Sequence, residues 1–115
     1  MKKIVLIAFN GEPMCFVHVL LNALNMKTNG YDVKIVIEGA ATKLIPELMR
    51  EGNPLTVFYR SAREQGLIDG ACRACAGKMG TLKDAEEQGV RLLDDMAGHP
   101  SMARYITNGY EVITF

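Results

Sequence analysis

Short apolar runs alternate with stretches of helical periodicity along the whole chain. The first run, Lys3–Phe9, is continuous and rich in β-branched residues, which is typical of a strand buried on both faces. Further strands are predicted at Asp32–Ile37, Leu67–Ala71, Val90–Leu93 and Tyr110–Phe115. Strands that alternate with helices over short connections favour a mainly parallel sheet covered by helices on both faces.

Helices are predicted in each interval that is long enough to hold one. In order, they cover roughly residues 14–27, 41–49, 53–66, 81–89 and 99–108. Pro46 is expected to split the second of them into two turns. Asn53 is predicted as the N-cap of the third, and Thr81 with Asp84 resembles a capping box for the fourth.

Composition restricts the class of protein. Thirteen basic residues balance thirteen acidic ones in a chain of 115, which predicts one domain over 1–115 and no nucleic-acid partner. The apolar run near the start is closed by Asn10–Pro13, and Met14–Leu24 is too short to cross a bilayer, so no membrane role is expected. The three cysteines do not form a disulfide framework, which favours reduced thiols in the cytoplasm.

Sites in parallel α/β sheets form at the carboxyl ends of the strands. Three loops are predicted there: Asn10–Cys15, Ala71–Cys75 and Asp94–His99. In the first loop, Asn10, Glu12 and Cys15 mark the edge of the predicted site. In the third, Asp94 and Asp95 are interpreted as a solvated pair and His99 as a helix-start residue.

The residues best suited to chemistry are Cys72 and Cys75. Cys72 is predicted where the third strand ends and a helical turn begins, so the helix N-terminus, Arg73 and Lys78 are expected to lower the pKa of its thiol and stabilise an anion. Cys75, one helical turn later, is placed to resolve a disulfide or to accept a transferred group. The alternative is that both are small buried hydrophobic residues.

A second hypothesis joins this pair to Cys15 and His18. Together the two short pairs, Cys15 with His18 and Cys72 with Cys75, supply four ligands of the kind that a structural zinc site uses. The two pairs could meet if the first and third strands are neighbours. Closed zinc sites, however, usually stabilise domains that lack a core of their own, so the leading interpretation includes no metal and no cofactor.

The first helix carries more apolar surface than one sheet face requires. Its polar residues fall on one narrow stripe, namely Cys15, His18, Asn22, Asn25 and Asn29. A helix that covers a sheet needs only about a third of its circumference apolar. The excess predicts contact with another subunit, unless neighbouring segments of the same chain cover it.

As a whole, the order of these features resembles the DsrE/DsrF-like family of small sulfur-relay proteins. The resemblance rests on the first strand with its long apolar helix, on Val33–Ala41, on Cys72–Gly80 and on Gly109–Phe115. It covers essentially the whole chain.

The resemblance implies a three-layer flavodoxin-like fold with about five mainly parallel strands, assembled as a homotrimer or homohexamer. It also implies a function. Cys72 matches the position that receives sulfane sulfur as a persulfide from a donor protein and passes it to an acceptor protein. Cys75 matches a second cysteine that only some members carry, and Cys15 has no counterpart. The alternative is a non-catalytic oligomeric module that senses redox state or holds a metal or small ligand.

Overall fold

Five parallel strands form a single sheet in a computed structural model that describes residues Met1–Phe115. The strands are β1 (Lys3–Ala8), β2 (Asp32–Ile37), β3 (Ile68–Cys72), β4 (Leu92–Leu93) and β5 (Glu111–Thr114). Their order across the sheet is β4-β3-β2-β1-β5, and every neighbouring pair is parallel. The predicted α/β class, with mainly parallel strands flanked by helices in a flavodoxin-like three-layer arrangement, is confirmed.

Six α-helices and one 3₁₀ helix connect the strands. They are α1 (Pro13–Thr28), the 3₁₀ helix (Gly39–Leu44), α2 (Ile45–Leu48), α3 (Thr56–Glu64), α4 (Arg73–Met79), α5 (Leu82–Glu87) and α6 (Met102–Thr107). The split expected near Pro46 is present, because the 3₁₀ helix ends at Leu44 and α2 begins immediately before the proline.

Two predicted caps are wrong. The side chain of Asn53 accepts a hydrogen bond from the Leu55 amide in a turn that precedes α3, so the helix starts later than expected. Thr81 does precede α5, but its side chain does not cap the helix. Instead, its buried hydroxyl donates to the Thr42 carbonyl at 2.9 Å and ties α5 to the 3₁₀ helix.

The sheet is packed differently on its two faces. The larger cluster joins β1, β2 and β3 to α1, the 3₁₀ helix, α2, α3 and α5, with Phe16, Leu20 and Tyr59 fully buried. The smaller one lies on the opposite face, where Tyr105 of α6 and Tyr110 cover Val5, Ile7, Val36 and Leu93. One short helix thus supplies most of the second layer.

A one-residue skip in β3 shifts its register against β2. Ile35 pairs with Ile68 and Val36 with Gly70, so Asp69 has no partner in the ladder. Its carboxylate accepts hydrogen bonds from Tyr105 and Arg91 instead. Bulges of this kind redirect the side chains that follow them, and here Cys72 follows three residues later.

No helix of the chain combines the length and the apolar composition that a membrane span requires.

The carboxyl ends of β4, β3 and β2 lie side by side at one edge of the sheet. The residues directly after these three strands therefore come together.

Candidate functional site

Four side chains with metal-ligating or nucleophilic atoms converge at this edge. Glu38 follows β2, Cys72 ends β3, Cys75 lies in the first turn of α4, and His99 belongs to the loop after β4. Their ligand atoms all lie within 4.8 Å of one another. We call this group the edge cluster.

The two thiols are in direct contact. Cys72 Sγ and Cys75 Sγ are 2.7 Å apart, and both cysteines are free. Cys72 is also the N-cap of α4, because its sulfur accepts a hydrogen bond from the Cys75 amide at 3.3 Å. Cys72 is fully buried while Cys75 is half-buried, so solvent reaches the pair from the Cys75 side.

A tight turn holds His99 over the thiols. Met96 and His99 exchange two backbone hydrogen bonds of 2.9 Å, and the residues between them, Ala97 and Gly98, both have positive φ. Left-handed backbone at both central positions defines a type I′ turn. The Gly98 carbonyl accepts a hydrogen bond from the Ala74 amide, which anchors the turn to the start of α4.

The imidazole of His99 contacts both sulfur atoms. His99 Nδ1 is 3.2 Å from Cys72 Sγ and 3.8 Å from Cys75 Sγ. The same nitrogen is 3.9 Å from a carboxylate oxygen of Glu38, and the histidine side chain is 42% exposed. His99 therefore links the buried sulfur, the half-buried sulfur and the carboxylate to solvent.

The expected acidification of Cys72 is wrong. Burial raises the pKa of its thiol to about 12, and the side-chain contact with Cys75 adds to this. The hydrogen bond from the Cys75 amide acts in the opposite direction but does not outweigh burial. Burial likewise raises the pKa of Glu38, against the attraction of His99.

The cations predicted to stabilise a Cys72 anion are engaged or remote. Arg73 Nε lies 3.7 Å from a carboxylate oxygen of Asp94. Lys78 is exposed in the last turn of α4, at the far end of the helix from Cys72. Asp94 and Asp95 are both exposed, as predicted, and Asp95 also pairs with Arg104 and accepts a hydrogen bond from the Ser101 amide.

The structure separates Cys15 and His18 from the other two cysteines, so the predicted four-ligand set is wrong. The reason is strand order: β2 lies between β1 and β3. Strands two positions apart in a sheet are about 10 Å from each other. Cys15 and His18 belong to α1, which follows β1, and neither is part of the edge cluster.

Asn10 and Glu12 are also outside the cluster. Asn10 Oδ1 accepts a hydrogen bond of 2.8 Å from the Glu12 amide, and this bond shapes the turn that precedes α1. Both residues line a crevice with Lys43 and Glu47 rather than the surface around the thiols.

Sequence reasoning missed Glu38 and His99 as members of the site. A signal was present for each, because both are titratable residues in segments that follow a predicted strand. His99 was assigned to the start of the last helix, yet α6 begins only at Met102, capped by Ser101. The loop before that helix is thus free to fold back over the thiols.

Similar chains extend the description without naming an activity. The chain is 32% identical over 96 residues to the uncharacterized protein MJ0733 of Methanocaldococcus jannaschii, an overlap of 84% of this chain and 76% of that protein. It also matches two uncharacterized proteins of Archaeoglobus fulgidus. One is 54% identical over 37 residues (32% of this chain and all of that protein), the other 36% identical over 59 residues (51% of this chain and 95% of that protein). No protein-family model and no solved structure matches the chain. By the extent of the first overlap, the chain belongs to the same family as the Methanocaldococcus jannaschii protein.

Proposed function

We propose that the protein is a sulfur-relay protein that carries sulfane sulfur as a persulfide on Cys72, as the DsrE/DsrF-like resemblance implies. The observation that carries the proposal is the contact between a fully buried thiol, a half-buried thiol and an imidazole. Cys72 Sγ lies 2.7 Å from Cys75 Sγ and 3.2 Å from His99 Nδ1. A relay needs a protected position that stores sulfur and an accessible position that exchanges it. Cys72 is buried and suits storage, while Cys75 is half-buried and suits exchange.

Loading begins at the accessible thiol. The thiolate of Cys75 attacks the outer sulfur of a persulfide donor, a new sulfur–sulfur bond forms at Cys75, and the donor leaves as a thiol. The proton that Cys75 gives up passes to His99 and from there to the departing donor. One sulfur atom passes from the donor to Cys75, and no net oxidation occurs.

Storage is a second exchange of the same kind. Cys72 attacks the outer sulfur on Cys75, the persulfide moves to Cys72, and Cys75 returns to a thiol with the proton that Cys72 releases. His99 Nδ1 contacts both sulfur atoms and is therefore in position to move that proton. Delivery to an acceptor protein reverses the two steps.

The setting follows from this chemistry. Free thiols persist in the cytoplasm, where we place the protein. Its partners would be a sulfur donor, a sulfur acceptor and copies of itself in a homotrimer or homohexamer. The outer face of α1 supports self-association, since Met14 is 80% exposed and Leu21 is 41% exposed on one stripe of that helix.

Intact-mass spectrometry tests the proposal. Reduced protein incubated with thiosulfate or with a persulfidated donor protein should gain about 32 Da, the mass of one sulfur atom. Peptide mapping should find the added sulfur on Cys72. Cys75→Ser should slow loading from the donor protein, because the buried thiol must then be reached directly.

Three variants serve as controls. Cys72→Ser and Cys72→Ala should both lose the stable adduct, and their circular dichroism spectra show whether the fold is retained. Cys15→Ser makes the same chemical change outside the edge cluster and should load like the wild type. A wild type without an adduct, or an adduct unchanged in both Cys72 variants, contradicts the relay. A loss of two hydrogens in place of a gain of sulfur indicates a redox-sensing disulfide instead.

A further inference from the structure

We infer that Glu38, Cys72, Cys75 and His99 form a binding site for one Zn²⁺ ion. The inference rests on the placement of these four side chains, whose ligand atoms all lie within 4.8 Å of one another. It does not depend on the proposed sulfur relay and replaces the ligand set that the sequence had suggested.

The chemistry of the four side chains selects this ion. Two sulfur atoms, one imidazole nitrogen and one carboxylate oxygen are the donors that protein zinc sites use, in the usual number of four. Thiolates disfavour Mg²⁺ and Ca²⁺, which prefer oxygen ligands, while the carboxylate and imidazole suit a borderline ion better than Cu⁺.

The distances are close to those of a tetrahedral site. Zinc–ligand bonds of roughly 2.0–2.3 Å place tetrahedral ligand atoms about 3.3–3.8 Å apart. His99 Nδ1 is 3.2 Å from Cys72 Sγ, 3.8 Å from Cys75 Sγ and 3.9 Å from the Glu38 carboxylate. The two sulfur atoms, 2.7 Å apart, must separate by about one ångström, and the Glu38 carboxylate, which lies within 4.8 Å of both, must move to tetrahedral spacing from them.

Each ligand comes from a well-positioned piece of backbone. Glu38 directly follows β2 and Cys72 ends β3, so two ligands are fixed by adjacent paired strands. Cys75 belongs to the first turn of α4, and its amide already donates to Cys72 Sγ. Hydrogen bonds to a ligand of this kind orient it and stabilise its charge. His99 is held by the Met96–His99 turn.

The site is open to the ion from one side. The His99 side chain is 42% exposed and that of Glu38 is 12% exposed, whereas Cys72 is buried beneath them. Coordination through Nδ1 leaves Nε2 of the imidazole free. Zinc bound to both sulfur atoms would also withhold them from a persulfide, so the ion and sulfane sulfur would compete for the same site.

Metal titration of the reduced 115-residue chain tests the inference. Zn²⁺ added in competition with a chromogenic chelator should bind with one equivalent per chain. Co²⁺ in its place should give the visible absorption of a tetrahedral ion together with thiolate-to-cobalt charge transfer in the near ultraviolet. Cys72→Ser and Cys75→Ser should each reduce the charge-transfer intensity to that of one thiolate or less.

The two ligands that are not fully buried, Glu38 and His99, provide variants that are expected to fold. Loss of a residue that only hydrogen-bonds a metal ligand weakens metal affinity roughly 10- to 100-fold. Glu38→Gln and His99→Gln remove direct ligands and should therefore weaken Zn²⁺ affinity by more than this. Cys15→Ser and His18→Gln are matched controls outside the cluster and should bind like the wild type. Circular dichroism of the metal-free proteins verifies that each variant is folded.

Three results would overturn the inference. The first is a wild type that binds less than one equivalent of Zn²⁺ or shows no thiolate-to-cobalt band. The second is unchanged affinity in both Glu38→Gln and His99→Gln. The third is loss of binding in Cys15→Ser or His18→Gln, which would return the site to α1. Because the readout is metal affinity, failure here leaves the persulfide experiment unaffected.

Discussion

Gly70 lies two residues before Cys72, where β3 passes very close to β4. A Cβ atom built on Gly70 would be 2.6 Å from the Arg91 carbonyl oxygen and 2.7 Å from Leu93 Cγ. The Arg91 carbonyl cannot move away easily, because it accepts a hydrogen bond of 2.8 Å from the Ala71 amide. The absence of a side chain at this position therefore lets β4 pair with the end of β3 that carries the thiol.

Gly70→Ala should therefore destabilise the protein. Forcing a methyl group against fixed backbone costs roughly 1–3 kcal/mol in packed interiors. Urea unfolding should show a lower midpoint, and the thiols should react faster with a disulfide reagent since the β3–β4 end is loosened.

Gly77→Ala is the matched control. Gly77 is inside α4, where an added Cβ would meet only Leu82 Cδ1, at 3.6 Å. Alanine is favoured over glycine in a helix by roughly 0.5–1 kcal/mol, so this variant should be at least as stable as the wild type. Equal midpoints for the two variants would contradict the steric argument at Gly70.

Only some of the individual residues of the candidate site could be predicted from the sequence. Cys72 and Cys75 are visible in the sequence because a thiol pair at a strand end is a local pattern. Glu38 and His99 join them through contacts between segments that are far apart in the chain. The pKa of Cys72 depends on burial, which outweighs the hydrogen bond from the Cys75 amide and is set by the whole fold.

At the scale of elements, the thinner face of the sheet depends on two tyrosines. Burial raises the pKa of Tyr110 from 10.0 to about 12, and the hydrogen bond that its hydroxyl donates to Asp32 adds to this. Burial also raises the pKa of Tyr105, whose hydroxyl donates to Asp69. On the other face, burial raises the pKa of Tyr59 to about 12.

Alkaline pH should therefore weaken the fold in a defined range. The folded protein holds these phenolic protons more tightly than the unfolded chain does, so the free energy of unfolding decreases as pH rises above 10 and continues to decrease toward 12. Below pH 10 this contribution is fully present.

Tyr110→Phe isolates one of these groups. At neutral pH the variant should lose about 1 kcal/mol with its hydrogen bond to Asp32. Above pH 10, urea unfolding should show a shallower decline in stability than the wild type, since one titrating group is gone. Identical declines would show that Tyr110 does not contribute.

Elements were predictable where local pattern and tertiary packing agree. The prediction for Asp32–Ile37 has the observed bounds, because this apolar run is buried on both faces of the sheet, with Ile35, Val36 and Ile37 all inaccessible to solvent. The predicted strand Val90–Leu93 is reduced to Leu92–Leu93, since only these two residues pair with β3. The capping box at Thr81 failed because its hydroxyl finds the carbonyl of Thr42 on another element.

At the scale of the whole molecule, strand order decides which residues meet. Local patterns predict parallel strands but not that β2 separates β1 from β3. That separation removes Cys15 and His18 from the site and leaves α1 for another role. On its outer side, Met14 and Leu21 are exposed while Val17 and Leu24 are half-buried. Their spacing of three and four residues forms one apolar stripe.

If this stripe joins copies of the chain, charging its centre should dissociate them. Size-exclusion chromatography with light scattering should give the wild type a mass of three or six chains of 12.7 kDa. Leu21→Arg should shift the mass toward one chain, because burying an unpaired charge in an apolar contact is strongly unfavourable. Ile106→Arg alters a residue of α6 that is 59% exposed on the opposite face of the sheet from α1, and should leave the mass unchanged. A monomeric wild type, or equal effects of the two substitutions, would refute self-association through α1. An assembly that only Leu21→Arg disrupts would explain why α1 is apolar around most of its circumference.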